Sequence, residues 1–96
     1  MKPKILIFGK GFIGLRIKEF LRCDITTKMI RSFRDAESTV KEYRPHTIIN
    51  CIGVTGKRNV DDCEIDKDAT LFANSYIPML LAEVAMRNKI KFVHVS

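Results

Sequence analysis

The sequence predicts an α/β fold with a parallel sheet, because short apolar runs alternate with amphipathic helical stretches along its 96 residues. Four apolar runs have the length of buried strands, and three stretches between them place apolar residues at helical spacing. Parallel strands joined in this way require right-handed helical crossovers. No internal repeat or linker divides the chain, so we expect a single domain over residues 1–96.

The first predicted unit is a strand followed by a helix. The strand covers Lys4 to Gly9, a continuous apolar run that ends in glycine, which is typical of a strand buried on both faces. The helix covers Gly11 to Arg22, where charged residues recur on one face. The opposite face, which we expect to be buried, carries Ile13, Ile17 and Phe20/Leu21.

The second predicted unit has weaker signals. Residues from Ile25 to Ile30 are rich in β-branched side chains and predict a second strand. Asp35 is expected to be the N-cap of a helix that continues to about Arg44. Pro45 ends this helix, because proline disrupts a helix interior.

The remainder of the chain predicts two further strands and one long helical stretch. Thr47 to Ile52 is the third strand, and a polar loop runs from Val54 to about Lys67. A helical pattern then extends from Asp68 to Arg87. An interior proline costs about 3 kcal/mol, so we expect a kink at Pro78 or a break that places it in a new first turn. The fourth strand is Ile90 to Val95.

Composition excludes several classes of protein. Residues are 46% hydrophobic and 29% charged, and no apolar run approaches the roughly 20 residues needed to span a membrane. The short N-terminal apolar run has no signal-peptide cleavage site. Three scattered cysteines without CxxC spacing indicate reduced thiols in a cytoplasmic protein, with neither a disulfide framework nor a zinc site.

The chain is basic, with 17 Lys and Arg against 11 Asp and Glu and a formal net charge of +6. Most of these charges suit solubility, and together they would attract an anionic ligand such as a nucleotide. No helix-turn-helix, zinc-finger or aromatic RNA-binding pattern accompanies them, so we expect no nucleic-acid partner.

The sharpest motif is the GxGxxG sequence between the first strand and the first helix. Its glycines permit a tight turn, a close approach of the backbone to a pyrophosphate, and close packing of the helix on the strand. The N–H groups at the start of the helix would face the anion. The sequence therefore predicts a dinucleotide site, with a ligand-free glycine turn as the alternative. The residues expected to line it are Gly9, Gly11, Phe12, Ile13 and Gly14.

The end of the predicted second strand indicates which dinucleotide is bound. A carboxylate that would hold a ribose 2′-OH is expected there, and none appears before Asp35. The segment instead carries Lys28, Arg31 and Arg34, which suit a 2′-phosphate. We therefore expect NADP in preference to NAD, with Arg31 as a cofactor-binding residue; the alternative is that these side chains are simply solvated.

Four stretches resemble one known family. They are KILIFGKGFIG at the N-terminus, RPHTIIN at 44–50, GVTGKRNVDDCE at 53–64, and KFVHVS at the C-terminus. The chain resembles the N-terminal part of extended short-chain dehydrogenase/reductases. The match is closest to the dTDP-4-dehydrorhamnose reductase group and to the epimerase/reductase enzymes of nucleotide-linked L-rhamnose. Their loop reads GVTGRPNVDWCE. The resemblance covers essentially the whole chain.

This resemblance implies the N-terminal portion of a doubly wound Rossmann sheet, with strand order 2-1-3-4 and helices on both faces. Further cofactor contacts would come from the end of the third strand, at Asn50, Cys51, Ile52 and Gly53. Substrate-binding residues would be Thr55, Gly56 and Asn59, in the loop that borders nicotinamide and sugar nucleotide. Asn74 would brace this loop, or would simply cap a helix or face water.

The chain departs from the family in three ways. Its glycine turn is one residue shorter than usual, and Asp62 replaces the loop tryptophan. It also ends at Ser96, before the family's catalytic Thr or Ser and its YxxxK pair.

No other catalytic set is evident. Tyr43 and Tyr76 are not followed by a lysine four residues later, and Cys51 has no evident histidine partner. His46 and His94 are expected to be structural. A metal site is not predicted either, because the acidic residues at 61–68 fit a solvated loop and a helix start.

The resemblance thus implies the NAD(P)-binding part of a nucleotide-sugar 4-keto reductase, without turnover by the isolated chain. Its partners would be a nucleotide cofactor and, in a complete enzyme, a nucleotide sugar. The alternative is a non-catalytic dinucleotide-binding or interaction module. An unpaired edge on the fourth strand would also favour a homo-oligomer.

Overall fold

Strands and helices alternate along the chain in a computed structural model that describes residues 4–52 and 75–95. The predicted loop at 54–67 and the first part of the last predicted helix, 68–74, lie outside the described residues. In chain order the elements are β1 (Ile5–Phe8), α1 (Phe12–Leu21), β2 (Asp24–Thr26), α2 (Phe33–Tyr43), β3 (Thr47–Asn50), α3 (Ile77–Arg87) and β4 (Lys91–His94).

The four strands form one parallel sheet in the order β2-β1-β3-β4, which confirms the predicted topology. β1 lies at its centre, with Phe8 beside Thr26 on one side and Asn50 on the other. The connection after β1 leads to β2 and that after β2 crosses back to β3. The strand order therefore reverses between β1 and β3, where doubly wound sheets bind their ligands.

The helices cover both faces of the sheet, as predicted. Leu6, Phe8 and Ile48 point to the face covered by α2 and α3. Alternate strand residues, Ile7 and Ile49, point to the opposite face, where α1 packs. β1 and β3 are therefore buried on both faces, as their continuous apolar sequences predict.

The second strand is shorter than predicted. It ends at Thr26 instead of Ile30, and directly after it the Thr26 hydroxyl accepts a hydrogen bond from the Lys28 N–H at 3.1 Å, a local bond that competes with strand pairing. Ile30 is buried even so, in the cluster beneath α2 and α3. Its burial explains why an apolar pattern extended beyond the strand.

The N-cap of α2 is Ser32, and the prediction of Asp35 was wrong by three residues. The Ser32 hydroxyl accepts a hydrogen bond from the Asp35 N–H at 3.3 Å, and the Asp35 carboxylate accepts one from the Arg31 N–H at 2.9 Å. This exchange resembles a capping box, whose spacing of Ser and an acidic residue is present in the sequence.

The apolar face of α1 is buried only in its first half. Ile13 and Ile17 pack against the sheet as predicted. The prediction was wrong for Phe20 and Leu21, which are 87% and 43% exposed. Both line an open cavity of about 460 Å³ beside Ile5. The last turn of α1 thus lies beside the first residue of β1, at the edge of the sheet, where its apolar side chains remain accessible to solvent.

Pro78 lies in the first turn of α3, and Ser75 and Tyr76 before it are already helical, Tyr76 with φ and ψ of −75° and −44°. Because residues 68–74 lie outside the described residues, the choice between a kink and a break at Pro78 stays a prediction. No helix of the described residues is long and apolar enough to cross a membrane.

All three helices end beside a basic residue in the left-handed conformation. The φ angles of Arg22, Arg44 and Lys89 are 53°, 51° and 56°. At the end of α3 the Ile90 N–H donates to the Ala85 carbonyl at 2.8 Å, which completes a Schellman motif around Lys89. Glycine is the usual residue at such positions, because a side chain there costs about 1 kcal/mol.

We predict that Arg22→Gly and Arg44→Gly each raise the free energy of unfolding by about 1 kcal/mol, because glycine adopts the left-handed conformation without strain. Urea denaturation in about 1 M NaCl measures the change. At this salt concentration the Debye length is about 3 Å, so the loss of the arginine charge contributes little and the relief of backbone strain remains. Lys18→Gly, inside α1, is the control and should lower stability by up to about 1 kcal/mol. A lower free energy of unfolding in both Arg22→Gly and Arg44→Gly would contradict the prediction.

Helix α1 lies unusually close to the turn that precedes it. A Cβ atom added to Gly14 would lie against the Gly9 carbonyl oxygen, at a distance no real side chain adopts. Gly14 is fully buried in this contact. A side chain at position 14 would therefore push the helix away from the sheet.

We predict that Gly14→Ala lowers the free energy of unfolding by about 1–3 kcal/mol, the usual range for overpacking. Gly11→Ala is the matched control. Gly11 is exposed and has a φ of −103°, which alanine tolerates, so this change should cost less than about 1 kcal/mol. Thermal or urea denaturation measures both, and equal losses would show that the contact at Gly14 is unimportant.

Candidate functional site

The glycine turn lies at the carboxyl end of β1 and is pressed against the end of β3. The Cys51 N–H donates to the Phe8 carbonyl at 2.7 Å. Gly9 has a φ of +104°, and a Cβ atom on it would lie 2.7 Å from the main-chain nitrogen of Ile52. The first glycine is therefore required both by its conformation and by this close approach.

The N-terminus of α1 begins at the same turn. Gly11 is the N-cap and is exposed, and its carbonyl accepts the first helical hydrogen bond from Leu15 at 3.0 Å. No acidic residue lies in the first turn to neutralise the positive end of the helix dipole. Phe12 is exposed beside it, with the Arg16 guanidinium 5.9 Å from its ring centre. This end of α1 is suited to an anion.

Asn50 braces the end of β3 from inside the protein. Its side chain is fully buried, and its Oδ1 accepts a hydrogen bond from the Ile52 N–H at 3.0 Å. Its amide nitrogen lies 3.1 Å from His94 Nδ1 on β4. Because Oδ1 is already an acceptor, the nitrogen donates and His94 Nδ1 accepts. The His94 ring also stacks on Phe92, with 6.5 Å between ring centres.

This bracing contact was missed in the sequence, where Asn50 was expected to line the cofactor. The pairing with His94 depends on the register of β3 and β4, which place the two residues side by side. The amino-acid pattern within either strand does not indicate how β3 and β4 are aligned. Both polar ends of the Asn50 side chain are engaged within the protein, so the main chain of β3 remains for ligand contacts.

Cys51 and Ile13 also point away from the crevice. Both belong to the cluster between α1 and the sheet, and Cys51 is only 3% exposed. Burial raises the pKa of the Cys51 thiol above its ordinary value, so the thiol stays neutral and unreactive near pH 7. These side chains support the glycine turn from below.

The basic segment after β2 lies next to the end of β1, since Thr26 is the register partner of Phe8. The Lys28 ammonium lies 3.2 Å from the Glu42 carboxylate, so this lysine already has a protein partner. Arg31 and Arg34 are exposed and make no ion pair within residues 4–52 and 75–95. Two of the three predicted cations are therefore available to an anion.

Several predicted residues lie outside the described residues: Gly53, Thr55, Gly56, Asn59, Asp62, Asn74 and Ser96. Among the others, His46 lies at the opposite edge of the sheet, where its Nδ1 accepts a hydrogen bond from the Lys4 N–H at 2.9 Å. Tyr43 lies near Lys4 at the same edge, with the ammonium 5.9 Å from its ring centre. Neither can act at the glycine turn. Tyr76, just before α3, is partly exposed.

The comparisons with known proteins agree with this geometry. The dTDP-4-dehydrorhamnose reductase of Bacillus anthracis, solved in complex with NADP, is 26% identical with a TM-score of 0.78. The alignment covers all of this chain and 36% of that one. The UDP-rhamnose synthase of Acanthamoeba polyphaga mimivirus is 26% identical with a TM-score of 0.71, over 98% of this chain and 37% of that one.

A third structure shows the fold alone. The UDP-glucose 4-epimerase of Brucella ovis, solved with NAD, is 14% identical with a TM-score of 0.75, over 97% of this chain and 35% of that one. No curated protein matches the chain. The chain spans a little over one third of the length of these solved structures.

The family assignment comes from a match along nearly the whole sequence. The family described as RmlD substrate binding domain matches residues 4–96. The match includes the glycine turn, all four strands and the region that resembled the rhamnose-forming reductases. The fold, the strand order and the family match agree, and the chain belongs to the RmlD substrate binding domain family.

Proposed function

We propose that this chain is the NAD(P)-binding part of a nucleotide-sugar 4-keto reductase of the rhamnose-forming type. The observation that carries the proposal is the glycine turn, in which Gly9 and Gly14 leave no space for side chains and Gly11 is exposed at the N-terminus of α1. The NADP complex of the similar Bacillus anthracis reductase supports the same ligand class.

The main chain around this turn would hold the pyrophosphate of the cofactor. The N–H groups at the start of α1 carry partial positive charge, and the exposed Gly11 allows a phosphate to approach them closely. The exposed ring of Phe12 borders the same approach. When bound, the nicotinamide would supply the hydride that reduces the keto group of the sugar.

The ribose of the adenosine would lie toward the end of β2. Arg31 and Arg34 are exposed there and would pair with a 2′-phosphate, which favours NADP over NAD. The main chain of Asn50 to Gly53 would line the other side of the crevice, and Thr55, Gly56 and Asn59 would contact the sugar nucleotide. We place this protein in the cytoplasm.

Binding without turnover is expected for this chain alone. Protonation of the sugar oxygen requires a positioned acid, and the 96 residues contain no tyrosine followed four positions later by lysine. The second candidate function is a non-catalytic dinucleotide-binding or interaction module, which would need only the glycine turn. Finding a Tyr-Lys segment downstream in the natural reading frame would decide for the reductase.

We predict that Gly11→Val weakens NADPH binding at least about tenfold, because a branched side chain would stand where the pyrophosphate approaches. NADPH fluorescence titration measures the affinity of the two proteins. Leu15→Val, one turn further along α1, introduces the same side chain away from the turn and should bind like the wild type. Equal affinity of wild type and Gly11→Val, or binding by neither, would contradict the assignment of the turn.

We predict that Arg31→Ala lowers the preference for NADPH over NADH about tenfold, because a hydrogen bond between charged groups contributes about 1.5–3 kcal/mol. Titration with both cofactors gives the ratio. Lys28→Ala is the control, since its ammonium is already paired with Glu42, and it should leave the ratio within about twofold. A preference unchanged in Arg31→Ala would remove Arg31 from the site.

A further inference from the structure

A second basic region lies at the amino edge of the sheet, opposite the glycine turn. We call it the amino-edge surface. Its residues are Lys4, Lys41, Arg44, His46, Lys89 and Lys91. The strand register holds its centre together, because the Lys4 N–H donates to His46 Nδ1 at 2.9 Å and the Lys91 N–H donates to the His46 carbonyl at 3.1 Å.

A groove of about 380 Å³ opens within this surface, between the end of α2 and the residues that precede β4. Its apolar lining consists of Val40, Pro45 and Ile90, and the first two of these are buried. Its polar lining includes the exposed side chains of Lys41, Arg44 and His46. The groove therefore presents the half-buried Ile90, beside the buried Val40 and Pro45, with positive charge around it.

The charge of this surface is largely uncompensated. Lys41 lies 3.6 Å from Glu37, in an exposed pair of the kind that contributes little. Within residues 4–52 and 75–95, no ion pair joins Lys4, Arg44, Lys89 or Lys91 to a carboxylate. The positive potential would therefore extend into solvent and attract an anionic partner.

Neutralising the helix dipoles does not account for these cations. Helices α2 and α3 already carry Lys41 and Arg87 in their last turns, where a cation offsets the dipole. Arg44 and Lys89 add further charge from left-handed positions that favour glycine. Arg44 and Lys89 therefore place positive charge at this edge in addition to the cations that offset the helix dipoles.

The hydrogen bond at His46 adds a donor to the same groove. Because Nδ1 accepts from the Lys4 main chain, the neutral ring carries its proton on Nε2. Tyr43, the aromatic side chain next to this surface, is half-buried beneath the Lys4 ammonium. The groove itself has no Phe, Tyr or Trp side chain in the lining that the structure describes, and the exposed ring of Phe20 lies beyond Lys4, on the α1 side of the edge. Base stacking on such rings, which single-stranded nucleic acids use, is therefore not offered within the groove.

We propose that the amino-edge surface binds an acidic peptide segment of a partner protein. One aliphatic side chain of the segment occupies the groove, and flanking carboxylates pair with Arg44, Lys41 and Lys89. The surface is at the opposite edge from the glycine turn, so a partner and a dinucleotide can be bound together. The proposal does not depend on the proposed reductase function.

The test uses the full chain and a fluorescein-labelled peptide of Asp and Glu with one central leucine, followed by fluorescence anisotropy. We expect saturable binding that weakens as salt rises, because the contacts are ionic and exposed. The same peptide with a central serine should bind several-fold more weakly, because it leaves the groove empty. Absence of saturable binding by the leucine peptide would overturn the proposal.

Matched variants locate the binding site. Arg44→Gly and Lys89→Gly should each lower affinity roughly three- to fivefold, the size of one partly exposed ion pair. Arg22→Gly removes the same charge from the same type of helix end, but on the other face of the sheet, and should stay within about twofold. Each of the three substitutions places glycine at a position with left-handed backbone angles and so removes backbone strain, and we therefore expect all three variants to fold.

Two results would contradict the proposal. An equal loss in Arg22→Gly would show a general charge effect without a site. Tighter binding of a labelled oligo-dT at the same salt concentration would assign the surface to nucleic acid instead.

Discussion

The close contact between α1 and the turn at the end of β1 determines the geometry of the candidate site. Gly14 lies against the Gly9 carbonyl, and Gly9 lies against the main chain of Ile52. Three segments thus meet without side chains between them. This contact sets the distance of the helix N-terminus from the sheet, and a separation larger by one Cβ would move its N–H groups away from any ligand in the crevice.

The parallel sheet gives the molecule two edges of different character. Helix N-termini and the switch between β1 and β3 lie at the carboxyl edge, together with the exposed cations that follow β2. Helix C-termini lie at the amino edge, where Arg22, Arg44 and Lys89 occupy left-handed positions. Both edges are therefore positive: the carboxyl edge combines helix dipoles with the exposed side chains of Arg31 and Arg34, whereas the amino edge has side chains alone. The main-chain N–H groups of the carboxyl edge would suit the compact diphosphate that we propose there, and the dispersed cations of the amino edge would suit the extended acidic segment that we propose there.

The parts of the fold that the sequence predicted are those with local signals. The continuous apolar runs of β1 and β3 and the glycine spacing each act within a few residues. The errors arose where tertiary contacts decided. Ile30 is buried although it does not belong to β2. Phe20 is exposed because it lies beside an open cavity at the edge of the sheet. For the candidate site, the glycine turn was predictable, whereas the pairing of Asn50 with His94 required the strand register.

That pairing has a consequence for specificity. Asn50 is fully buried, and a buried amide is tolerated only when its polar atoms are hydrogen-bonded. Ile52 and His94 form these hydrogen bonds with the Asn50 side chain. The described end of β3 therefore offers main-chain groups, which would not distinguish one dinucleotide from another. The β2 side differs from the described end of β3, because exposed basic side chains follow β2 next to the end of β1. Under the proposed function, the exposed side chains of Arg31 and Arg34 would be the groups that distinguish a phosphate from a hydroxyl.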